Sequence, residues 1–511
     1  MSAWTEGYVA DIGYTYGYYA ELNPLRVKLA FINQGFAFPE IGAACELGFG
    51  QGLSVAMHAA ASVVEWQGTD FSPVQAGFAQ ELARVSGSNA RLYDDAFDEF
   101  AQRSDLPQFD FIGLHGIWSW ISDENRNVIV DFVRRKLKVG GVLYISYNTQ
   151  PGWAAFTPMR HLLTLHSQVM GCEGRGVIGR VDDALNFMDK LMATDPAYAK
   201  INPQVSERLS RIKGQPRSYL AHEYFNRDWM PMHFATMADW LEPAKVQFAC
   251  SAMPLDLVEV IQLTKQQQGF LGDLSDVRMR EGTRDFMVNQ QFRRDYWVKG
   301  TKKLSLVEKA EAARGLRVVL VSCTADISLS IKTPLGEATL AESIYMPILE
   351  LLADNKPHTM GQIEKSLDGK GINFNQIMQA LLILAGAGHL AIANEDSIVT
   401  KVRKATERLN VYLVNKSRGS SDIDYLVSPV TGGGISVSST QKLFILAIAQ
   451  GRKKPEEWAD FAWEILRERN QKFVKEGKVL ETPDENLDEL REQVAVFSRR
   501  IPLLKALMVL P

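Results

Sequence analysis

Ala43-Ala44-Cys45-Glu46-Leu47-Gly48-Phe49-Gly50-Gln51-Gly52-Leu53 is the stretch that decides the fold. A short apolar run reads as a buried strand, and the small-residue segment from Leu53 to Ala61 reads as a helix. Between them, glycines at alternate positions let the backbone turn sharply and let a ligand approach it closely. A dinucleotide fingerprint would place glycine at position 53, where this chain has leucine. The loop taken alone fits both a nucleoside-binding turn and a plain tight turn.

Outward from this turn, strands and helices alternate. Upstream, Asn23-Pro24 supplies a cap and first position for a helix through Asn33, and Gly35 ends it. Downstream, a strand from Val63 to Thr69 ends at Asp70, and Ser72-Pro73-Val74-Gln75 reads as a capping box opening a helix to Val85. A third strand at Arg91-Leu92-Tyr93 ends at Asp94-Asp95. A fourth, Phe109 to Leu114, leads into His115-Gly116-Ile117-Trp118. Ser122 caps a helix to Leu137, Gly140-Gly141 breaks it, and a fifth strand runs from Val142 to Tyr147. Such alternation predicts an α/β domain with a parallel sheet covered on both faces. In such sheets ligands lie beyond the carboxyl ends of the strands, where Glu46, Asp70, Asp95, His115 and Asn148 fall. A carboxylate at Asp70 can accept both hydroxyls of a ribose, or it can be an ordinary acid near solvent. Asp95 can meet an adenine amino group, with Asp94 competing for that role.

Length and charge bound the rest. A chain of 511 residues predicts three or four domains. With 56 basic and 60 acidic side chains, a net charge of −4 gives no general attraction to nucleic acid. Cys45, Cys172, Cys250 and Cys323 lie far apart without a CxxC pair, which argues against a zinc site or a disulfide framework and fits a reducing compartment. Met1-Ser2-Ala3-Trp4-Thr5-Glu6 has neither a basic nor an apolar leader region. The apolar runs fall short of the ~20 residues that cross a bilayer. The expectation is a soluble cytoplasmic protein with no metal, membrane or nucleic-acid partner.

The chain divides at composition changes into residues 1–170 (the α/β domain), 171–217 (a helical connection made mobile by its glycines) and 218–310 (a mixed α/β middle domain). Residues 311–425 read as a winged-helix-like domain and 426–511 as a helical C-terminal domain. In the middle domain, a helix capped by Asp228 spans Met230 to Leu241, a strand Val246 to Cys250, and a helix Thr283 to Arg294. His222-Glu223 lacks a second histidine at metal-ligand spacing. The winged-helix core comprises helices Ile344–Leu352, Met360–Leu367 and Gln376–Ala385 with a strand near Leu390. Its third helix carries no Lys or Arg, so it reads as a scaffold or protein-contact element rather than a groove reader. The segment from Val427 to Gly434 reads as a loop into the last domain. The apolar run Leu503 to Leu510 must dock on the protein itself or on a second copy in a homodimer.

Several strings carry a resemblance. Glu46-Leu47-Gly48-Phe49-Gly50-Gln51-Gly52, Gly68-Thr69-Asp70-Phe71-Ser72 and Leu137-Lys138-Val139-Gly140-Gly141 resemble motifs of the class I S-adenosylmethionine (SAM)-dependent methyltransferases. Tyr19-Ala20-Glu21-Leu22-Asn23-Pro24, His115-Gly116-Ile117-Trp118-Ser119-Trp120-Ile121 and Tyr144 to Trp153 narrow it to the bacterial, rickettsial-type protein-lysine methyltransferases. Leu220-Ala221-His222-Glu223-Tyr224-Phe225 and Asn289 to Arg294 resemble segments of the methyltransferase regulatory domain those proteins carry. The resemblance implies a Rossmann-like sheet and SAM as cofactor. The cofactor would be held by Glu46, Gly48, Phe49, Gly50, Gly52, Asp70, Phe71, Asp95, Ala96, Phe97, His115, Gly116 and Ile117. It also implies methyl transfer to an amine, foremost a protein lysine. A small molecule or another protein side chain is the alternative acceptor, and a SAM-binding regulator without turnover a third reading. A lysine must lose its proton before attack, so an aromatic, dry channel is expected. Five tyrosines (Tyr8, Tyr14, Tyr16, Tyr18 and Tyr19) crowd the first nineteen residues. They fit a lid over the methyl group or an aromatic arm on the outside of the sheet. Tyr14, Tyr16, Tyr19, His115 and Asn148 are the candidate catalytic residues.

Overall fold

The computed structural model describes residues 8, 9 and 12–510. The opening Met1–Glu6, read above for a leader, lies outside the described residues. The first α/β unit runs α1 (Pro24–Gln34), β1 (Ala43–Leu47), α2 (Leu53–Ala60), β2 (Glu65–Thr69), α3 (Pro73–Ser86) and β3 (Arg91–Tyr93). It continues through α4 (Phe97–Gln102), β4 (Phe109–Leu114), α5 (Asp123–Lys136) and β5 (Leu137–Asn148). The caps explain most of these limits. The Asn23 side chain accepts from the Leu25 N–H and Gly35 closes α1 at φ 76°; Ser122 accepts from the Asn125 N–H at the start of α5. Ser72 makes no side-chain cap, and its own N–H donates to Asp70 Oδ1 at 3.1 Å instead. The capping-box reading therefore gives way to a turn organised by Asp70.

Five helices follow: α6 (Thr157–Val169), α7 (Gly176–Met192), α8 (Ala197–Ile201), α9 (Gln204–Lys213) and α10 (Arg217–Tyr224). They share a core of Trp153, Leu163, Leu185, Met188, Leu209 and Leu220, against which Val9 and Ile12 of the N-terminal arm pack. The segment expected to be a mobile connection is thus a helical bundle. Its glycines do not loosen it because apolar residues at helical spacing bury one face of each long helix.

After α11 (Phe234–Leu241) the chain returns to the sheet with β6 (Gln247–Ser251) and, beyond further helices, β7 (Phe292–Val298). Among the described residues this makes a seven-stranded sheet in the order β3-β2-β1-β4-β5-β7-β6. Strands β1 to β5 pair in parallel, and β7 runs antiparallel to both β5 and β6. The boundaries drawn at 170 and 218 therefore divide one folding unit, because the middle segment supplies two strands of the same sheet. The helix expected over Thr283 to Arg294 stops at Val288, where Asn289 takes a left-handed φ of 49°, and its last residues belong to β7. The helix expected from Met230 begins at Phe234, after His233 rather than Asp228.

Residues 306–392 pack as a helical unit with a three-stranded sheet, Arg317–Leu320 lying between His358–Thr359 and Leu390–Ile392. Helices Glu342–Leu352, Met360–Ser366 and Phe374–Gly386 match the expected three, and the strand Leu390–Ile392 follows them as expected, paired with Arg317–Leu320, a strand that precedes the helices. The helix Phe374–Gly386 is mostly buried, and its exposed positions Asn375 and Gln379 carry no cation to meet a phosphate. This core also takes Leu29 and Ile32 of α1. Val427 to Gly434 belongs to a β-hairpin, Tyr425–Ser428 paired with Gly433–Ser436. Its turn is tied to the sheet domain: the Asn23 Nδ2 donates to the Thr431 carbonyl at 3.0 Å. The final core joins Leu53, Met57 and Ala60 of α2 to Leu409, Leu443, Phe444 and Phe497. That is why α2 is buried on every side. Leu503, Leu504, Leu507 and Val509 dock on this same core, and Ser428 Oγ donates to the Leu507 carbonyl at 2.6 Å. The apolar end is thereby covered by its own chain. Among the described residues no helix is long and apolar enough to cross a membrane.

Candidate functional site

A cleft of about 810 Å³, open to solvent, lies beyond the carboxyl ends of β1 to β4. Its floor is built by the turn after β1. Gly48, Gly50 and Gly52 all take left-handed φ values of 69°, 58° and 69°, which L side chains resist by roughly 1–2 kcal/mol each. Each glycine has a different neighbour. A Cβ at Gly48 would stand 2.4 Å from Ile117 Cδ1, and one at Gly52 would stand 2.3 Å from Ala79 Cβ. At Gly50 the nearest atoms are Tyr14 Cδ1 at 3.9 Å and Gln75 Oε1 at 4.0 Å. Gly52 therefore serves helix packing, whereas Gly48 and Gly50 shape the turn.

Asp70, at the end of β2, locks this turn. Its Oδ2 accepts the Gly50 N–H at 2.8 Å and its Oδ1 accepts the Ser72 N–H. Burial pushes its pKa up to about 7 while the two N–H donors pull the other way. Glu46 lies beneath, 2% exposed, with its pKa pushed up to about 8 by burial and then by Asp70. Among the described residues its buried Oε2 has no hydrogen-bond partner. A buried acceptor left open beside a glycine turn is a place for a ligand donor. Together with the glycine cradle it fits the adenosyl and amino-acid ends of SAM.

The cleft wall brings together Gly48, Asp70, Phe71, Asp95, Ala96, Phe97, Gly116 and Ile117 from the expected cofactor set. Asp95 faces the cleft and pairs with Arg103 at 3.0 Å, while Asp94 is exposed, which separates the two acids. Phe49 does not line the cleft: its ring packs in the core over Gly68 and Gly52. The His115 imidazole also turns away from the wall. It stacks on Tyr19 with ring centroids 3.6 Å apart and shares a 2.7 Å hydrogen bond with the Tyr144 hydroxyl. Burial holds its pKa down to about 4, so it is neutral and too weak a base to take a proton from an ammonium. Asn148 is buried at the end of β5, where its N–H donates to Ser119 Oγ at 2.8 Å, and it does not reach the cleft wall.

The tyrosine segment splits. Tyr8 lines the cleft, edge-on to Phe71 with centroids 5.6 Å apart. Tyr14 lies over the glycine turn, and its carbonyl accepts from Gln51 Nε2 at 3.4 Å. Tyr19 is fixed by its N–H donating to Ser54 Oγ at 2.7 Å. Tyr16 and Tyr18 face elsewhere, Tyr16 edge-on to Phe78 and Tyr18 against His58 and Tyr425. Tyr16 therefore leaves the candidate catalytic set: its ring is taken up by Phe78 and the core of the final helices, away from the glycine turn. Sequence reasoning missed Ile121, Ser122, Asn125 and Asp228 as wall residues. Ser122 carried a signal, since a capped helix N-terminus beyond β4 faces the ligand crest, but Asp228 comes from a distant segment and had none.

Comparisons with known proteins bear on the family and the fold. A family model described as "Predicted methyltransferase regulatory domain" matches residues 216–299. The chain is 39% identical over 510 residues to the uncharacterized protein sll1526 of Synechocystis sp., covering 99% of each. It is 26% identical over 286 residues to the uncharacterized protein RP789 of Rickettsia prowazekii, 54% of this chain and 49% of that one. The structure of PKMT2 from Rickettsia typhi in complex with AdoHcy superposes with a TM-score of 0.67 at 17% identity, covering 97% of this chain and 100% of that one, a likeness of fold.

Proposed function

The chain belongs to one family with the Synechocystis protein and carries a segment matching the methyltransferase regulatory domain, and from that premise we propose that it is a class I SAM-dependent methyltransferase that methylates an amine, foremost the side chain of a protein lysine. When bound, SAM supplies a methyl group on a positively charged sulfur. The residues named above would hold it. The glycine turn follows its backbone, Asp70 accepts its ribose hydroxyls, Asp95 and the Ala96 backbone meet its adenine, and Glu46 meets its amino group. Support for the cofactor half is the Gly50–Asp70 hydrogen bond at 2.8 Å, which aims a carboxylate at the space over the glycine turn.

The acceptor half rests on the tyrosine arm. Methyl transfer is an in-line displacement, for which an enzyme supplies positioning and exclusion of water. Tyr8, Tyr14, Tyr19 and Trp120 give the crest an aromatic border. A border of this kind stabilises cations through ring faces, at roughly 0.5–2 kcal/mol per contact. It also disfavours full hydration of an ammonium, lowering the cost of deprotonation from the reference pKa of ~10.4. The reading rests on this aromatic border beside the glycine turn, which suits a cationic acceptor. The test is incubation of the protein and methyl-labelled SAM with lysate of the source cells, then acid hydrolysis of the labelled fraction. The reading predicts label in protein, released as methyl-lysine. Label confined to small metabolites would transfer the proposal to a small acceptor, and absence of label despite cofactor binding would favour a regulator.

A further inference from the structure

Glu223 stands on α10, at the start of the regulatory segment, and nothing in the reaction described so far uses it. The Tyr14 hydroxyl donates to its Oε1 at 3.4 Å, and its backbone carbonyl accepts from the Trp120 indole N–H at 3.2 Å. Tyr14 lies over the glycine turn and Trp120 lines the cleft. The neighbouring His222 ring sits between Tyr8 and Tyr14, with centroids 5.3 and 4.9 Å away, and its Nε2 bonds the Ile12 carbonyl at 3.0 Å. Asn226, one turn on, accepts from the Val9 N–H at 3.0 Å. The N-terminal arm, the glycine turn and α10 therefore converge on this carboxylate.

Among the described residues no lysine, arginine or histidine lies within ion-pair distance of Glu223; its carboxylate has one long bond from a tyrosine. Burial among aromatic rings pushes its pKa up to about 7. A half-desolvated carboxylate without a counter-ion is costly to keep, and an incoming cation relieves that cost. We propose that Glu223 is the acceptor-binding carboxylate, receiving the ammonium of the substrate lysine at the rim of the cleft between Tyr14 and Trp120. The regulatory segment would then contribute a residue to the active site itself and set its preference for an amine. This inference rests on the lysine reading above.

Glu223→Gln keeps a carbonyl oxygen for the Tyr14 hydroxyl and removes the charge. The probes are acetyl-Gly-Lys-Gly-amide and its norleucine counterpart, titrated by saturation-transfer NMR onto protein loaded with S-adenosylhomocysteine. Wild type should prefer the lysine peptide by about tenfold or more, as expected for a charge-assisted pair. Glu223→Gln should bind both peptides alike while keeping its affinity for S-adenosylhomocysteine. Tyr14→Phe, which breaks the same hydrogen bond and keeps the carboxylate, should retain the preference. A Glu223→Gln protein that still prefers lysine overturns the assignment alone. Equal losses in Glu223→Gln and Tyr14→Phe would reduce Glu223 to a strut for the arm. A wild-type protein that does not distinguish the two peptides overturns the lysine reading and this inference with it.

Discussion

Replacing Asp70 by asparagine should separate cofactor binding from folding. In the native site each carboxylate oxygen accepts one backbone N–H, from Gly50 at 2.8 Å and Ser72 at 3.1 Å, and the Gln75 amide lies within hydrogen-bond reach of both, so a ribose would compete with Gln75 for them. Asparagine keeps one acceptor and presents an NH2 to the other N–H. The ribose then loses one charge-assisted acceptor, worth roughly 1.5–3 kcal/mol, which converts to about 10- to 150-fold weaker binding. Calorimetry with S-adenosylhomocysteine reads this directly. A 2′,3′-dideoxy analogue, which lacks the hydroxyls, should bind wild type and variant within about twofold, because the lost interaction is absent from both. If a folded Asp70→Asn protein bound S-adenosylhomocysteine within about threefold of wild type, the ribose would be misplaced and the reasoning refuted.

The buried acids predict opposite pH trends for stability and for binding. Asp70 and Glu46, at about 7 and about 8, are raised above their unfolded values; the stability they lend is complete at acid pH and lost as pH rises through those values. Glu223 and Asp285, both about 7, share that sign. His58 and His115, lowered to about 3 and about 4, act in reverse, but only below about pH 6.5. The melting temperature of the ligand-free protein should therefore fall as pH rises from about 5 to 8, most steeply near 6.5–7 where the histidines no longer oppose it, whereas S-adenosylhomocysteine affinity should fall about tenfold over the first unit below pH 7 and then level off within the loss expected for the neutral Asp70→Asn side chain. A flat melting curve over that window would contradict the burial argument. Gly52→Ala should cost about 3 kcal/mol or more in denaturant unfolding, since strain at φ 69° adds to a Cβ contact of 2.3 Å with Ala79. Gly50→Ala, with its nearest neighbour at 3.9 Å, should cost about 1 kcal/mol of stability and show its effect in cofactor affinity. Tyr16→Phe should leave methyl transfer to lysate protein unchanged, and Tyr19→Ala, which removes the ring stacked on His115, should lower it at least severalfold.

The first five strands were legible because turn and cap signals separate them from the helices, with Gly48, Asp70 and Asp94 directly after β1, β2 and β3 and apolar runs in β1, β4 and the second half of β5. Asp70 stood out by its place at a strand end. β7 was hidden because Arg293 and Asp295 are buried inside it: Arg293 pairs with Asp295, Asp285 and Glu281 at 2.6–2.9 Å, so charges stand where a strand pattern shows apolar residues. Its membership in the sheet could not be read locally either, since its partner β5 precedes it by about 150 positions, as in the register Asn148 to Phe292. The bundle was misread from its glycines, although Val181, Leu185 and Met188 carried the helical period. Among site residues, those fixed by strand ends were found. Those fixed by contacts between distant segments were lost, including Glu223 beneath the arm and Asp228 on the wall. His115 illustrates the converse: its position was right, and its side chain is spent on Tyr19 and Tyr144.

A crystal structure of the protein grown with S-adenosylhomocysteine tests the central claim most directly. Ribose hydroxyl oxygens should lie within hydrogen-bond reach of both Asp70 oxygens, the adenine should sit between Ile117 and the Asp95–Ala96 turn, and the sulfur should face the Tyr14–Tyr19 side of the glycine turn. Ligand density away from the β1–β4 crest, or a ribose that leaves Asp70 bonded only to Gly50 and Ser72, would contradict it.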